Sequence, residues 1–290
     1  MVTGGSGFLG GFVIREAHAG GHEVVAVTRS SAAAETVTRL GAHSVPGDLD
    51  DPDSLDEAFD CAAKTGAEVL VNLASLGFGH APTIVAATEE AGLSRAVFVS
   101  TTAVTTALPA PSKRVRLAAE QAIQRSALDW TIIRPTMIYG AAGDRNIARL
   151  LALLRRTPVV PVPGGGRRLQ QPVHVQDLAQ AVLASALTDA AISKIYDVAG
   201  PQSLTFRDLL REAGAAVDRR PRLLRVPMRP TIWALQAYEK AASRPRFRAE
   251  QLERLSEDKT FDISAAVADL DFRPRSFRTG VGAEAATLWN

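Results

Sequence analysis

The segment Thr3-Gly4-Gly5-Ser6-Gly7-Phe8-Leu9-Gly10 constrains this chain more than any other. It follows a short apolar run, Met1 to Thr3, and opens a stretch with helical spacing of apolar residues, Phe8 to Ala19. Glycines between a strand and a helix meet two physical needs. The turn requires backbone torsions closed to other residues, and an anionic group must reach the amides at the helix N-terminus without a side chain in between. Gly10 then lets the helix pack closely on the sheet. Within a βαβ unit this is a phosphate-binding turn; outside one it is a structural turn.

The rest of the first half supplies that setting. Strand candidates are Met1 to Thr3, Glu23 to Thr28, His43 to Pro46, Glu68 to Leu73, Ala96 to Ser100 and Trp130 to Arg134, each bounded by Gly, Pro or a polar turn. Helical spacing falls between them, at Ser54 to Lys64, Ala81 to Ala91 and Val115 to Ser126. Alternation of this kind predicts an α/β fold, a doubly wound parallel sheet covered by helices. Residues 1–135 read as a dinucleotide-binding Rossmann domain. Residues 136–290 read mainly as a smaller substrate-binding lobe, with about 171–199 returning to the first domain. In that half, a helix over Asn146 to Arg155, the Pro- and Gly-rich stretch Thr157 to Gly166, and strands at Gln171 to Val175 and Ile195 to Ala199 precede helices and loops rich in arginine. Three residues make a short opening for a central parallel strand, which usually runs about five or six. A few apolar residues upstream are therefore expected.

Composition excludes several classes. Of 290 residues, 46% are hydrophobic, enough for a large core, and no apolar run reaches the roughly 18 residues of a membrane span. No basic region followed by an apolar run marks a secretory signal. The formal net charge of +2 is too balanced for an electrostatic nucleic-acid binder. Cys61 is the lone cysteine, so neither an internal disulfide nor a cysteine metal site is available, and no metal is expected. A cytoplasmic protein acting on a small molecule is the expectation.

The candidate cofactor residues in the turn are Gly4, Ser6, Gly7, Phe8, Leu9 and Gly10. At the end of the second strand an acidic side chain would hydrogen-bond the adenosine ribose, whereas a basic one accommodates a 2′-phosphate. This chain has Thr28-Arg29-Ser30 there, with no carboxylate. A guanidinium pairs with phosphate through two N–H groups and the two neighbouring hydroxyls add donors, so Arg29 and Ser30 favour NADP over NAD. The alternative for Arg29 is a solvated surface arginine. Asp48-Leu49 and Asn72-Leu73-Ala74-Ser75 follow the third and fourth strands, at the end of the sheet where ligands bind. Taken singly, each is more often a helix cap or loop residue.

Taken together, Thr3-Gly4-x-x-Gly7-x-x-Gly10, Gly47-Asp48-Leu49, Asn72 to Ser75, Phe98-Val99-Ser100-Thr101-Thr102, Arg134-Pro135-Thr136-Met137-Ile138-Tyr139-Gly140 and Pro172-Val173-His174-Val175-Gln176-Asp177-Leu178 resemble the short-chain dehydrogenase/reductase superfamily. The likeness is to its extended and atypical branches, related to nucleotide-sugar epimerases and dehydratases, and runs along nearly the whole chain. It implies that Asp48 and Leu49 contact the adenine, Ala74 and Ser75 the ribose side, and Pro135 to Ile138 the nicotinamide carboxamide. Thr102 matches the catalytic Ser/Thr that polarises a substrate carbonyl.

The family's Tyr-x-x-x-Lys pair is missing. Counting back from Glu120 places Arg116 at the lysine and Ser112 at the tyrosine; the other register, through Ser112-Lys113, puts Pro109 at the tyrosine. Reduction of a carbonyl needs a proton donor at the developing alkoxide, for which serine is too weak an acid. Arg116 can supply positive field but does not exchange protons near neutral pH. Among Tyr139, Tyr196 and Tyr238, Tyr139 is the best substitute acid, with a packing residue as the alternative.

His174 reads as a turn residue and Asp177 as the cap of the next helix. Asp144 and Arg145 either border a substrate pocket or initiate a helix capped by Asn146. Arg219, Arg220, Arg222, Arg225, Arg229, Arg244, Arg246 and Arg248 form either a solvated face or the charges that hold a substrate diphosphate in the related enzymes. Trp233 and Tyr238 read as core or pocket aromatics. Ala81 to Ala91 and Val115 to Ser126 permit a homodimer through the helices that relatives use. Three functions follow: an NADP(H)-dependent oxidoreductase or epimerase/dehydratase-like enzyme with a non-standard catalytic site; a non-catalytic NADP(H)-binding regulator or accessory subunit; or a redox-neutral isomerase or cyclase.

Overall fold

The computed structural model describes residues 1–108, 111–144, 146–242 and 256–289. Arg145, Pro109, Arg244, Arg246 and Arg248 lie outside them. The chain divides into two compact units. Unit 1 comprises Met1–Thr136, Val175–Val198 and Asp262–Arg273; unit 2 comprises Met137–His174, Ala199–Phe261 and Pro274–Asn290. The chain thus re-enters unit 1 twice, and the second re-entry, at Asp262, is not foreseen in the sequence.

Unit 1 is an α/β layer structure around a seven-stranded sheet. Its elements are β1 (Val2–Thr3), α1 (Phe8–Ala19), β2 (Val25–Thr28), α2 (Ser31–Thr38), β3 (His43–Pro46), α3 (Pro52–Lys64), β4 (Val69–Asn72), α4 (Ala81–Glu90), β5 (Arg95–Val99), α5 (Pro111–Arg125) and β6 (Asp129–Pro135). All six expected strands are present. Every pairing is parallel, and the strand order is 3-2-1-4-5-6 with the later strand Lys194–Val198 at the far edge beside β6. Strands buried on both faces are apolar at nearly every position, as in β2, where Val25-Ala26-Val27-Thr28 is buried throughout. Phe59, Leu70, Ile84, Phe98, Ile123 and Ile132 join the helices to the sheet in one core. The order reverses beside β1, and the glycine turn leaves β1 at that point.

Unit 2 holds β7 (Ile138–Tyr139), α6 (Ile147–Arg156), β8 (Val159–Pro163), β9 (Leu169–Gln170) and β10 (Val173–His174); unit 1 then resumes with α7 (Val175–Leu187) and β11 (Lys194–Val198). Unit 2 continues with β12 (Leu204–Thr205), α8 (Phe206–Ala215), β13 (Arg222–Val226) and α9 (Met228–Ala241). After α10 (Ser264–Leu270) in unit 1, the chain ends in unit 2 with α11 (Phe277–Trp289). α6 presents Ile147, Leu151 and Leu154 on one face to a core with Leu209, Leu210, Phe277 and Val281.

Several expectations are corrected here. Of the strand expected over Gln171 to Val175, only Val173–His174 forms one, β10; β9 ends before it at Gln170, and Val175 already belongs to a helix. β8 lies within what reads as a Pro- and Gly-rich loop and pairs in parallel with β13 inside the arginine cluster. A two-stranded ribbon is all edge, where Pro161 and Pro163 need not donate. Trp233 and Tyr238 are 68% and 39% exposed on α9, neither of them core. His174 sits on β10, and Asp177 falls within the first turn of α7, beyond the cap position. Among the described residues no helix is long and apolar enough to cross a membrane, and no group of His, Cys, Asp or Glu could hold a metal ion.

Candidate functional site

The glycine turn of unit 1 is built by close approach. Gly4 has φ +71°, and a Cβ there would stand 2.8 Å from the Ala74 amide nitrogen. A Cβ on Gly10 would collide with the carbonyl oxygens of Gly4 and Gly5. The turn closes by the Gly7 N–H donating to the Gly4 oxygen at 3.0 Å. Its attachment to β4 is equally tight: the Thr3 hydroxyl donates to Asn72 Oδ1 at 2.6 Å, and the Leu73 N–H to the Thr3 oxygen at 3.0 Å. Among the described residues no side chain caps α1, and its first turn carries no acid. The opening amides and the positive end of the helix dipole are therefore left for an anionic ligand. Ser6, Gly7 and Phe8 line a cavity of about 250 Å³ with Arg15, Thr36 and Arg39. A dinucleotide pyrophosphate fits the uncapped helix end and its glycine cradle.

The sequence pattern does not single out Arg15 and Arg39. Their signal is position: Arg15 lies two turns along α1 from Phe8, stacked 5.6 Å from the Phe12 ring, and Arg39 closes α2.

The expected cofactor residues after β2, β3 and β4 stand at the same end of the sheet. Ser30 caps α2, accepting from the Ala33 N–H at 3.3 Å. Asp48 Oδ1 accepts from the Asp50 N–H at 3.1 Å, and Leu49 packs on the core. Ser75 accepts from the Gly77 N–H at 3.2 Å, and the adjacent Asn72 side-chain amide donates to the Ala74 oxygen. Arg29 is exposed and faces Asp50, with Nη1 3.5 Å from Oδ2.

Thr102 is buried, its hydroxyl donating to the Pro135 oxygen at 3.2 Å, which joins the ends of β5 and β6. Arg116 is half-buried on α5, with its guanidinium against Gly77, where an added Cβ would meet it at 3.0 Å. One turn further on, Glu120 accepts from Ser100 Oγ at 2.6 Å and from Arg134 Nε and Nη2 at 3.0 and 2.5 Å. These bonds lock the register of α5 against β5 and β6. The hydrogen bond to Glu120 raises the pKa of Arg134 above the usual arginine value. Ser112 and Arg116 thus lie on a fixed helix, with no tyrosine at either position.

In unit 2, Ile138 pairs with Val173, and Tyr139 is fully buried. The Tyr139 ring lies 5.4 Å edge-on from His174 and 5.1 Å from Phe277, and a Cβ on Gly280 would collide with its hydroxyl. Asp144 takes over the capping expected of Asn146: its carboxylate accepts from the amides of Asn146, Ile147 and Ala148 at 2.6, 2.7 and 3.1 Å. A separate cavity of about 480 Å³ is lined by Gly164, Gly166, Arg167, Arg168, Arg225 and Asp258, with Phe206 and Met228 as apolar wall. Asp258 binds the Leu169 amide at 2.9 Å and Arg168 at 3.0 Å; both bonds, the amide first, hold its pKa below the usual carboxylate value.

Residues 4–189 match the family described as NAD(P)H-binding. The chain belongs to that family. Its seven-stranded parallel sheet and glycine turn form a Rossmann-like arrangement. Similar proteins include a ceramide reductase of Caulobacter vibrioides, 31% identical over 78% of this chain and 73% of that one. Another is the mitochondrial NADH dehydrogenase (ubiquinone) 1 alpha subcomplex subunit 9 of Arabidopsis thaliana, 27% identical over 78% of this chain. The chain spans 60% of the length of that Arabidopsis protein. Among solved structures, gox2253 superposes with a TM-score of 0.78 at 20% identity, covering 99% of this chain and 96% of that one. UDP-glucose 4-epimerase of Thermotoga maritima gives a TM-score of 0.73 at 16% identity, covering 99% and 97%. At such identities the agreement is one of fold.

Proposed function

We propose that the protein is an NADP(H)-dependent oxidoreductase acting on a small carbonyl or alcohol substrate. The uncapped N-terminus of α1, held against Ala74 by Gly4, carries the reading, because it meets the needs of a bound pyrophosphate. Arg29 in place of an acid favours a 2′-phosphate. Two relatives are named as reductases, the Caulobacter protein and a ketoreductase of Stigmatella aurantiaca that is 29% identical over 64% of this chain.

Carbonyl reduction adds hydride to carbon and a proton to oxygen, and the nicotinamide supplies the hydride when bound. The chain contributes orientation and field. Thr102 turns its hydroxyl from Pro135 to the carbonyl oxygen, and Arg116 stabilises the negative charge that develops there. With Ser112 at the tyrosine position, the proton reaches the oxygen from water. Tyr139 acts as a packing residue in this scheme, since its fully buried hydroxyl is closed to substrate.

Fluorescence titration with NADPH and NADH tests the cofactor: NADPH binds, and Arg29→Ala weakens it about tenfold. Binding of neither nucleotide overturns the reading. Transfer of deuterium from labelled NADPH to a ketone panel then tests turnover. The missing Tyr-x-x-x-Lys pair favours a second reading, a subunit that holds NADP(H) without turnover, in keeping with the name of the Arabidopsis relative. Deuterium in a product excludes it.

A further inference from the structure

Resting on the cofactor reading above, we propose that Asp50 tempers the choice between the two nucleotides by competing with a 2′-phosphate for Arg29. The acid absent from the end of β2 returns from the next loop. Asp50 Oδ2 lies 3.5 Å from Arg29 Nη1, and Oδ1 lies 3.6 Å from His80 Nε2, which precedes α4. One carboxylate therefore bridges the loops after β2 and β3 and the start of α4, all at the ligand-binding end of the sheet.

The backbone beneath Asp50 is fixed. Asp48 Oδ1 accepts from the Asp50 N–H at 3.1 Å, while the Asp48 N–H donates to Ser54 Oγ at 3.3 Å. Asp51 accepts from the Ser54 N–H at 3.3 Å as the cap of α3. Upstream, Gly47 is pressed between Val27 and Ala58, where a Cβ would stand 2.7 Å from each. The loop is thus pinned on both sides of Asp50, and its side chain stays within reach of Arg29.

A 2′-phosphate drawn to Arg29 must displace this carboxylate or accept a like charge beside it, whereas a 2′-hydroxyl meets no such penalty. Arg29 and Asp50 side chains are 70% and 66% exposed, so screening keeps the effect to a few-fold. The sequence motif alone overstates the preference for NADP because it reads Arg29 without its partner.

The test is a set of dissociation constants for NADPH and NADH, by fluorescence, for the full chain and for Asp50→Asn, Arg29→Ala and the double variant. Asp50→Asn tightens NADPH about fivefold and leaves NADH within about twofold, and the gain vanishes when Arg29 is already Ala. High salt narrows the difference between Asp50→Asn and the unsubstituted chain. An unchanged NADPH constant, an equal gain for both nucleotides, or a gain that persists without Arg29 overturns the role of Asp50 while leaving the cofactor reading intact. Failure of the unsubstituted chain to bind either nucleotide overturns both.

Discussion

Each unit buries a glutamate, and the two are treated in opposite ways. Glu120 in unit 1 is 1% exposed and fully bonded to Ser100 and the Arg134 guanidinium. Glu284 on α11 of unit 2 is 0% exposed, and no side chain among the described residues pairs with its carboxylate. Burial pushes its pKa up to about 8, the nearby Asp144 adds to the rise, and only the Gly140 amide pulls the other way. A buried charge persists where a partner is built for it; elsewhere the group keeps its proton. Unit 1 thus spends a charged pair on holding α5, which carries Arg116, in register, while unit 2 buries a neutral acid beside the Tyr139 cluster.

The largest expected effect comes from breaking the satisfied pair. Glu120→Ala leaves Arg134 largely buried without its carboxylate and costs about 3 to 5 kcal/mol of stability, read from the urea midpoint. A loss below about 1 kcal/mol would show that the pair is not the anchor of α5.

Glu284→Gln has the opposite sign and a smaller size. The folded-state pKa lies above the ordinary glutamate value of 4.5, so the unfolded chain releases this proton first as pH rises. Stability associated with the group is full below about pH 4.5, falls as pH climbs toward 8, and levels off beyond. Gln removes that slope and stabilises the protein by about 1 to 2 kcal/mol at alkaline pH. Parallel pH profiles for the two proteins between pH 5 and 8 would refute a protonated Glu284.

The contrast between these glutamates is not legible in sequence, for reasons that apply more widely. The parallel sheet announces itself through runs such as Val25 to Thr28, because burial on both faces demands apolar residues throughout. The glycine turn is equally legible, since close approach admits no side chain at Gly4 or Gly10. β8 escapes because Val159 to Pro163 has the composition of a loop, and its parallel partner lies far along the chain at Arg222 to Val226. Glu284 sits among alanines on a helix, the pattern of a solvated face, and only tertiary packing reveals its burial. Asp50 is one acid among Asp48, Asp50, Asp51 and Asp53, and nothing in that run tells which one faces Arg29. Chemistry set by a single residue's local bonds is readable; chemistry set by a neighbour from another loop is not.

The smallest expected effect separates the two causes of the Glu284 shift. Asp144 is itself buried, which raises its pKa, while the amides of Asn146, Ala148 and Ile147 and the charge of Arg149 pull it down. Asp144→Asn keeps an oxygen for capping α6 but removes the negative charge beside Glu284. Loss of charge-assisted bonds costs about 1 kcal/mol or less. The pH profile then carries the information: its upper midpoint moves from about 8 toward 4.5 by only part of the distance, because burial outranks Asp144 among the causes. In the Glu284→Gln background the same change should shift no midpoint, since no titrating partner remains. A full return to 4.5 would instead assign the shift to Asp144 alone and make the pair a coupled carboxylate dyad.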